Sequence, residues 1–190
     1  MHGLFFGSFN PIHIGHLIIA SYMADYAELE EVWFVVSPQN PLKNKKNLLD
    51  EYQRLELVQL AIEDDPRFKV LDIEFNMPRP SYTINTVLEL KQQFPDHQWA
   101  LIMGADALAS LPKWKNYEEL QSLCKILAYP RPGFSLDPNS IPNTVTLFEE
   151  VPCMEISATF IRKTLRDFKD AQYLLPQKVY QYIKDNNLFQ

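Results

Sequence analysis

The sequence predicts an α/β fold: a doubly wound, mostly parallel sheet with helices on both faces. Three observations lead there. Strand and helix signals alternate along the chain, which favours parallel strands joined by helical crossovers. The 190 residues are 46% hydrophobic and 13% aromatic, enough to fill the core of one globular α/β domain. The apolar start breaks at Gly7, and an apolar helical run follows a few residues later. Leu4-Phe5-Phe6 marks a short buried strand, read as 2–6. Gly7 and Asn10-Pro11 end it, since Gly permits unusual backbone angles and Asn-Pro favours a turn. From Ile14 the residues Leu17, Ile18, Ala20, Tyr22 and Met23 recur at helical spacing, predicting a helix over 14–27. A strand at 31–36, a loop at 37–49, a helix at 50–63 and a strand at 68–72 come next. After a Pro-rich link, a helix is expected at 83–94 and a strand at 98–103. Short helices at 105–110 and 117–122 precede strands at 124–129 and near 144–148. Helices at 157–167 and 176–186 close the chain. The arrangement is Rossmann-like: one domain over 1–190 with a C-terminal helical part from about 157 to 190.

Composition narrows the function. A net charge of −6 argues against a general nucleic-acid grip, so any phosphate ligand must be held by a local cluster. The two cysteines, Cys124 and Cys153, follow no motif; Cys124 lies in an apolar run and reads as a core thiol. A reducing cytoplasm fits, and no segment has the length of a membrane span. Trp33 and Trp99 read as core. Val179, Tyr182 and Ile183 give the last helix one apolar face, for packing or for an oligomer surface; a homo-oligomer is left open.

The stretch Gly7 to His16, Gly-Ser-Phe-Asn-Pro-Ile-His-Ile-Gly-His, is the most informative in the chain. It joins a strand to a helix at the edge of the sheet where ligands bind. The first free N–H groups of the helix attract an anion there, and His13 and His16 add neutral or cationic donors. Gly15 lets a ligand come close to the backbone. The alternative is a surface pair or a partial metal site. Histidines sharing a metal on one helix usually sit four apart and need a third ligand, so anion binding is favoured and no metal ligand is assigned.

Four further segments carry chemistry. Ile156-Ser157-Ala158-Thr159-Phe160-Ile161-Arg162 suggests a Ser157 N-cap with Thr159 in the first turn and Arg162 one turn on, a second phosphate clamp. Lys43, in Ser37-Pro38-Gln39-Asn40-Pro41-Leu42-Lys43, either meets phosphates or belongs with Lys45 and Lys46 to a solvated loop face. In Arg79-Pro80-Ser81-Tyr82-Thr83-Ile84-Asn85-Thr86, Ser81 or Thr83 caps a helix whose bare N–H groups suit a carboxylate. Gly104 ends a strand, and Asp106 either accepts from a nucleoside or caps a short helix; Leu111 and Trp114 follow, with Lys113 and Lys115 beside the tryptophan.

These segments, in this order, resemble the motifs of the nucleotidylyltransferases that carry (H/T)xGH, and within them the nicotinate-nucleotide adenylyltransferases. The first stretch matches (H/T)xGH, residues 156–162 resemble ISSTxIR, residues 81–86 resemble SYTxxT, and Gly104 to Trp114 resemble GxDxxxxLxxW. The likeness runs from Gly7 to Arg162. Three positions depart from it: Asn10 stands where Asp is common, Ala158 where Ser is usual, and Leu42 where His often precedes the lysine. The resemblance implies transfer of AMP from ATP to nicotinate mononucleotide, with Mg²⁺ carried by the ATP phosphates. It implies catalytic roles for His13, His16 and Arg162, and ATP contacts from Gly7, Ser8, Phe9, Gly15, Lys43, Gly104, Asp106, Ser157 and Thr159. Ser81, Tyr82, Thr83, Trp114 and Lys115 would hold the acceptor, with Trp114 stacked on its pyridine ring. A nicotinamide-nucleotide or pantetheine-phosphate adenylyltransferase and a non-catalytic nucleotide-binding module stay open as alternatives. No GxxxxGK[ST] or GxGxxG occurs to suggest a P-loop enzyme or a dinucleotide-dependent oxidoreductase.

Overall fold

The computed structural model describes residues 1–38, 48–134, 141–152 and 154–190. Its strands are β1 (His2–Gly7), β2 (Glu31–Val36), β3 (Phe68–Leu71), β4 (Trp99–Gly104), β5 (Lys125–Tyr129) and β6 (Val145–Leu147). They form one parallel sheet in the order β3-β2-β1-β4-β5-β6. Parallel neighbours need crossovers, and these are supplied by helices α1 (Ile14–Tyr26), α2 (Glu51–Ile62), α3 (Thr83–Gln93), α4 (Ala105–Ser110) and α5 (Tyr117–Leu123). The chain ends in α6 (Ala158–Arg166) and α7 (Gln177–Asp185). The predicted fold class is the observed one, and the predicted strands and helices occur within about two residues of their expected ends.

Register decides which side chains meet on each face. Leu4 sits opposite Trp33 and Leu101, and Phe5 opposite Phe34 and Ile102. Because side chains alternate along a strand, these two rows enter different cores. Phe5, Phe34 and Ile102 pack with Met23 of α1, Leu57 of α2, Ile161 of α6 and Val179 and Ile183 of α7. Leu4, Trp33 and Leu101 pack with Ile84 and Leu90 of α3, Leu108 of α4 and Leu120 of α5. Trp33 and Trp99 are buried, as expected, and α7 is the packing element its apolar face suggested.

Among the described residues three short 3-10 turns were not expected: Ile73–Asn76 inside the Pro-rich link, Leu111–Lys113, and Gln172–Leu174. Cys124, assigned to a strand, instead closes α5, and its thiol donates to the Leu120 carbonyl at 3.2 Å. Burial pushes that thiol up to about 12, so it is an inert core group. His2 and His97 stack at 4.1 Å beside Trp33 and Trp99, at the edge of the sheet where the strands begin. Among the described residues no helix is long and apolar enough to cross a membrane.

The strand order reverses between β1 and β4. In open parallel sheets that switch opens a crevice beyond the C-terminal ends of the strands. The Gly7–His16 turn leaves β1 at this point.

Candidate active site

The β1–β2 ladder ends where Ser37 N–H donates to the Gly7 carbonyl at 2.9 Å. A Cβ at position 7 would lie 2.7 Å from the Phe9 ring, so glycine is required there for close packing. The unusual backbone angle expected at Gly7 falls instead on Phe9, whose φ is 43°. The buried Phe9 ring, packed among Phe5 and Phe34, holds this left-handed turn. Its side chain belongs to the core, so only its backbone can serve a nucleotide. Asn10 and Pro11 complete the turn, and Ser8 is half-buried between strand and turn.

His13 is the N-cap of α1, with extended backbone. Its N–H donates to Nδ1 of His16 at 3.2 Å, so His16 helps cap its own helix. With Nδ1 accepting, the proton of a neutral His16 resides on Nε2. The two imidazoles stack at 3.7 Å, and the Phe9 edge supports His16 at 5.1 Å. His13 is 6% exposed, and its Nδ1 has no partner among the described residues. Burial, with the nearby Arg131 charge, pushes its pKa down to about 4. His13 is therefore a neutral hydrogen-bonding group at neutral pH while no anion is bound beside it.

An open cleft lies above this turn. His13, Gly15 and His16 line it, together with Pro130, Arg131, Met154 and Ile156. A Cβ on Gly15 would sit 3.1 Å from His13 Nδ1 and 3.8 Å from the Ile156 Cβ. The tight neighbour is the His13 ring; the Ile156 distance is an ordinary van der Waals contact.

That second motif folds as expected at its start. Ser157 caps α6, accepting from Phe160 N–H at 3.2 Å, and Thr159 stands exposed in the first turn. Arg162 donates to the Asn10 carbonyl at 2.7 Å and to Thr159 Oγ1 at 3.2 Å. Two motifs 152 residues apart are joined by one guanidinium. Burial and the neighbouring Arg166 charge lower the pKa of Arg162.

Gly104 ends β4 and caps α4 through its backbone, so Asp106 is not the N-cap. Asp106 sits in the first turn with Oδ1 3.4 Å from Arg131 Nε. A Cβ on Gly104 would lie 2.5 Å from that oxygen and 2.9 Å from Arg131 Cγ. The sequence reading missed Arg131. Its signal was an arginine directly beyond the C-terminal end of β5, where ligands bind in such sheets.

The expected acceptor residues gather on the other face, against the second core. Tyr82 is the N-cap of α3 and makes no side-chain cap bond, so the cap expected from Ser81 or Thr83 does not form. Ser81 Oγ donates to Glu74 Oε2 at 2.8 Å, and Thr86 Oγ1 donates to Glu74 Oε1 at 2.8 Å. Glu74 is 2% exposed and was also missed. The one hydroxyl proton of Ser81 is thus given to an internal carboxylate. Thr83 begins α3, half-buried. Trp114 is half-buried, with Nε1 donating to Ser110 Oγ at 3.3 Å. Lys115 Nζ lies 4.6 Å above the Tyr82 ring, so the two acceptor segments touch. Lys43 lies outside the described residues.

Comparison with known proteins places these features in context. The cytidylyltransferase-like family matches residues 4–164. The chain is 50% identical over 192 residues to a probable nicotinate-nucleotide adenylyltransferase of Flavobacterium psychrophilum, covering 98% of this chain and 97% of that one. It is 50% identical over 181 residues to a probable nicotinate-nucleotide adenylyltransferase of Bacteroides fragilis, covering 95% and 90%. The fold superposes on Plasmodium falciparum nicotinic acid mononucleotide adenylyltransferase complexed with NaAD, with a TM-score of 0.81 over 99% of this chain and 96% of that one, at 19% identity.

Proposed function

We infer the reaction from one premise: the chain belongs to the nicotinate-nucleotide adenylyltransferases, within the cytidylyltransferase-like family. It transfers AMP from ATP to nicotinate mononucleotide, forming nicotinate adenine dinucleotide and pyrophosphate in NAD biosynthesis. The whole chain is read as one catalytic domain working in the cytoplasm. The observation that supports the site reading best is the bond from Arg162 to Asn10, which puts α6 onto the turn carrying both histidines.

A 5′-phosphate oxygen of the acceptor attacks the α-phosphorus of ATP in line, and the bond to the pyrophosphate oxygen breaks. A phosphate monoester is already anionic at neutral pH, so no general base is required. The protein's task is alignment and preorganised charge stabilisation. His16 presents Nε2–H to the α-phosphate. His13, neutral before an anion binds beside it, offers a hydrogen bond. Arg162 meets the β- and γ-phosphates, with Lys43 assigned to them from the sequence. Arg131, which also lines the cleft, adds a second guanidinium. The backbone at Gly7, Ser8, Phe9 and Gly15 lines the path of the triphosphate, with Ser157 and Thr159 at the start of α6 and Gly104 and Asp106 beyond β4. The imidazoles and guanidiniums suit phosphate oxygens, and Asp106 already faces Arg131. Mg²⁺ would therefore be held by phosphate oxygens and water, where it neutralises charge on the triphosphate. Tyr82, Thr83, Trp114 and Lys115 form the acceptor side, with the N–H groups of α3 suited to a carboxylate.

The test is pyrophosphate release from purified protein with ATP and Mg²⁺, comparing nicotinate mononucleotide with nicotinamide mononucleotide. Strong preference for the acid is expected. Preference for the amide would overturn the carboxylate pocket, and release with neither would overturn the reaction.

A further inference from the structure

Arg54 of α2 is fully buried, yet its hydrogen bonds among the described residues run to carbonyls and not to carboxylates. Nε donates to Leu49 O at 3.1 Å, and Nη1 to Ser8 O at 2.7 Å and Ser37 O at 2.8 Å. Nη2 donates to Pro38 O at 3.0 Å. All four acceptors lie where chain leaves or re-enters the C-terminal edge of the sheet. Ser8 follows β1, Ser37 and Pro38 follow β2, and Leu49 leads into α2. The last rung between β1 and β2 is the Ser37 N–H bond to Gly7 O, and beyond it the two chains part. Arg54 takes the next carbonyl on each side, replacing the rung the ladder no longer supplies. The other polar group of Leu49 is held as well: its N–H donates to Asn10 Oδ1 at 3.2 Å, within the histidine turn.

We propose that Arg54 is a positioning residue for ATP, fixing Ser8 and the chain at Pro38 and Leu49 against the His13–His16 turn. This role rests on the reading of that turn as the ATP site. Arg54 touches no substrate; it acts through the carbonyls it holds. Only a guanidinium suits the task. Its planar fork carries five N–H donors pointing in separate directions, whereas an ammonium offers three from one point. Acceptors on three chain segments cannot all be reached from that point.

The experiment compares Arg54→Lys with the unaltered protein by thermal melting and by steady-state kinetics for each substrate, well below the melting temperature. The expected result is a cooperatively folded variant whose kcat/KM for ATP falls about tenfold or more, the scale of a sub-ångström misplacement. KM for nicotinate mononucleotide should stay within twofold. A folded variant with unaltered ATP kinetics and only a lowered Tm would overturn the proposal. If the variant does not fold, hydrogen exchange on the unaltered protein decides. Binding of α,β-methylene-ATP should slow exchange at the Ser37 and Leu49 amides together with those of Ile14–His16. No slowing at Ser37 and Leu49 would overturn the role. Absence of slowing anywhere, with no pyrophosphate release by the unaltered protein, would overturn the ATP reading itself.

Discussion

Gly15→Ala should separate catalysis from stability. The added Cβ would lie 3.1 Å from Nδ1 and 3.2 Å from Cε1 of His13. Non-bonded carbon contacts are comfortable at about 3.5–4.0 Å, so the ring must retreat by about 0.5 Å. It cannot move alone, because it is buried and stacked on His16 at 3.7 Å. A misplacement of about 1 Å can cost about 10²-fold in rate, so half of that predicts a loss of about tenfold in kcat. Stability should hardly change. Alanine gains at most about 1 kcal/mol over glycine in a helix, which offsets strain of similar size. For a chain of this length, 1 kcal/mol is about 2–4 °C in Tm. Pyrophosphate-release kinetics and a thermal melt on the same sample provide the check. Unaltered kcat and KM for ATP would refute the claim that His13 and His16 need this spacing. A collapse of Tm would show that Gly15 serves the fold instead.

His16→Ala should lower kcat by on the order of 10²-fold or more, the scale of losing one preorganised donor, and near-normal turnover would remove its role. His13 links stability to pH. Its folded pKa is about 4 against 6.5 for an unperturbed histidine, so the unfolded chain binds the proton more readily. Its contribution is complete above about pH 6.5 and is lost as pH falls toward 4, to a total of about 3 kcal/mol. Urea unfolding across that range should show a steeper acid loss for the unaltered protein than for His13→Asn; parallel curves would contradict the buried neutral state. Ser81→Ala and Thr86→Val each leave one oxygen of the buried Glu74 carboxylate without its donor, which should cost about 1–3 kcal/mol. Chemical unfolding checks this, and a cost near zero would mean the carboxylate is satisfied in another way.

Much of the fold was readable in local sequence because local sterics write it there. Leu4 to Phe6 reads as a short buried strand, and the run from Ile14 to Met23 as a helix. Capping by Ser157 was readable for the same reason: a hydroxyl before a helix meets an N–H three residues on. The short 3-10 turns escaped because three or four residues carry too little periodicity to announce themselves. Phe9 escaped because its left-handed angle is imposed by burial of its ring among Phe5 and Phe34, not by its own preference.

The sequence by itself determined the alternation of elements, the turn at Gly7–His16 and the motifs that point to phosphate chemistry, all properties of neighbours along the chain. Tertiary structure alone decided which charges are buried and what they hold. Arg54 and Glu74 look like ordinary polar positions until folding brings them the Ser8 and Ser37 carbonyls and the Ser81 and Thr86 hydroxyls. Arg131 joins His13 in lining one cleft, and Arg162 gains its bond to Asn10, only once the sheet is assembled and α6 packs against it. A buried polar group must find its partner wherever the fold puts one, and that partner's distance along the chain leaves no periodic mark in the sequence.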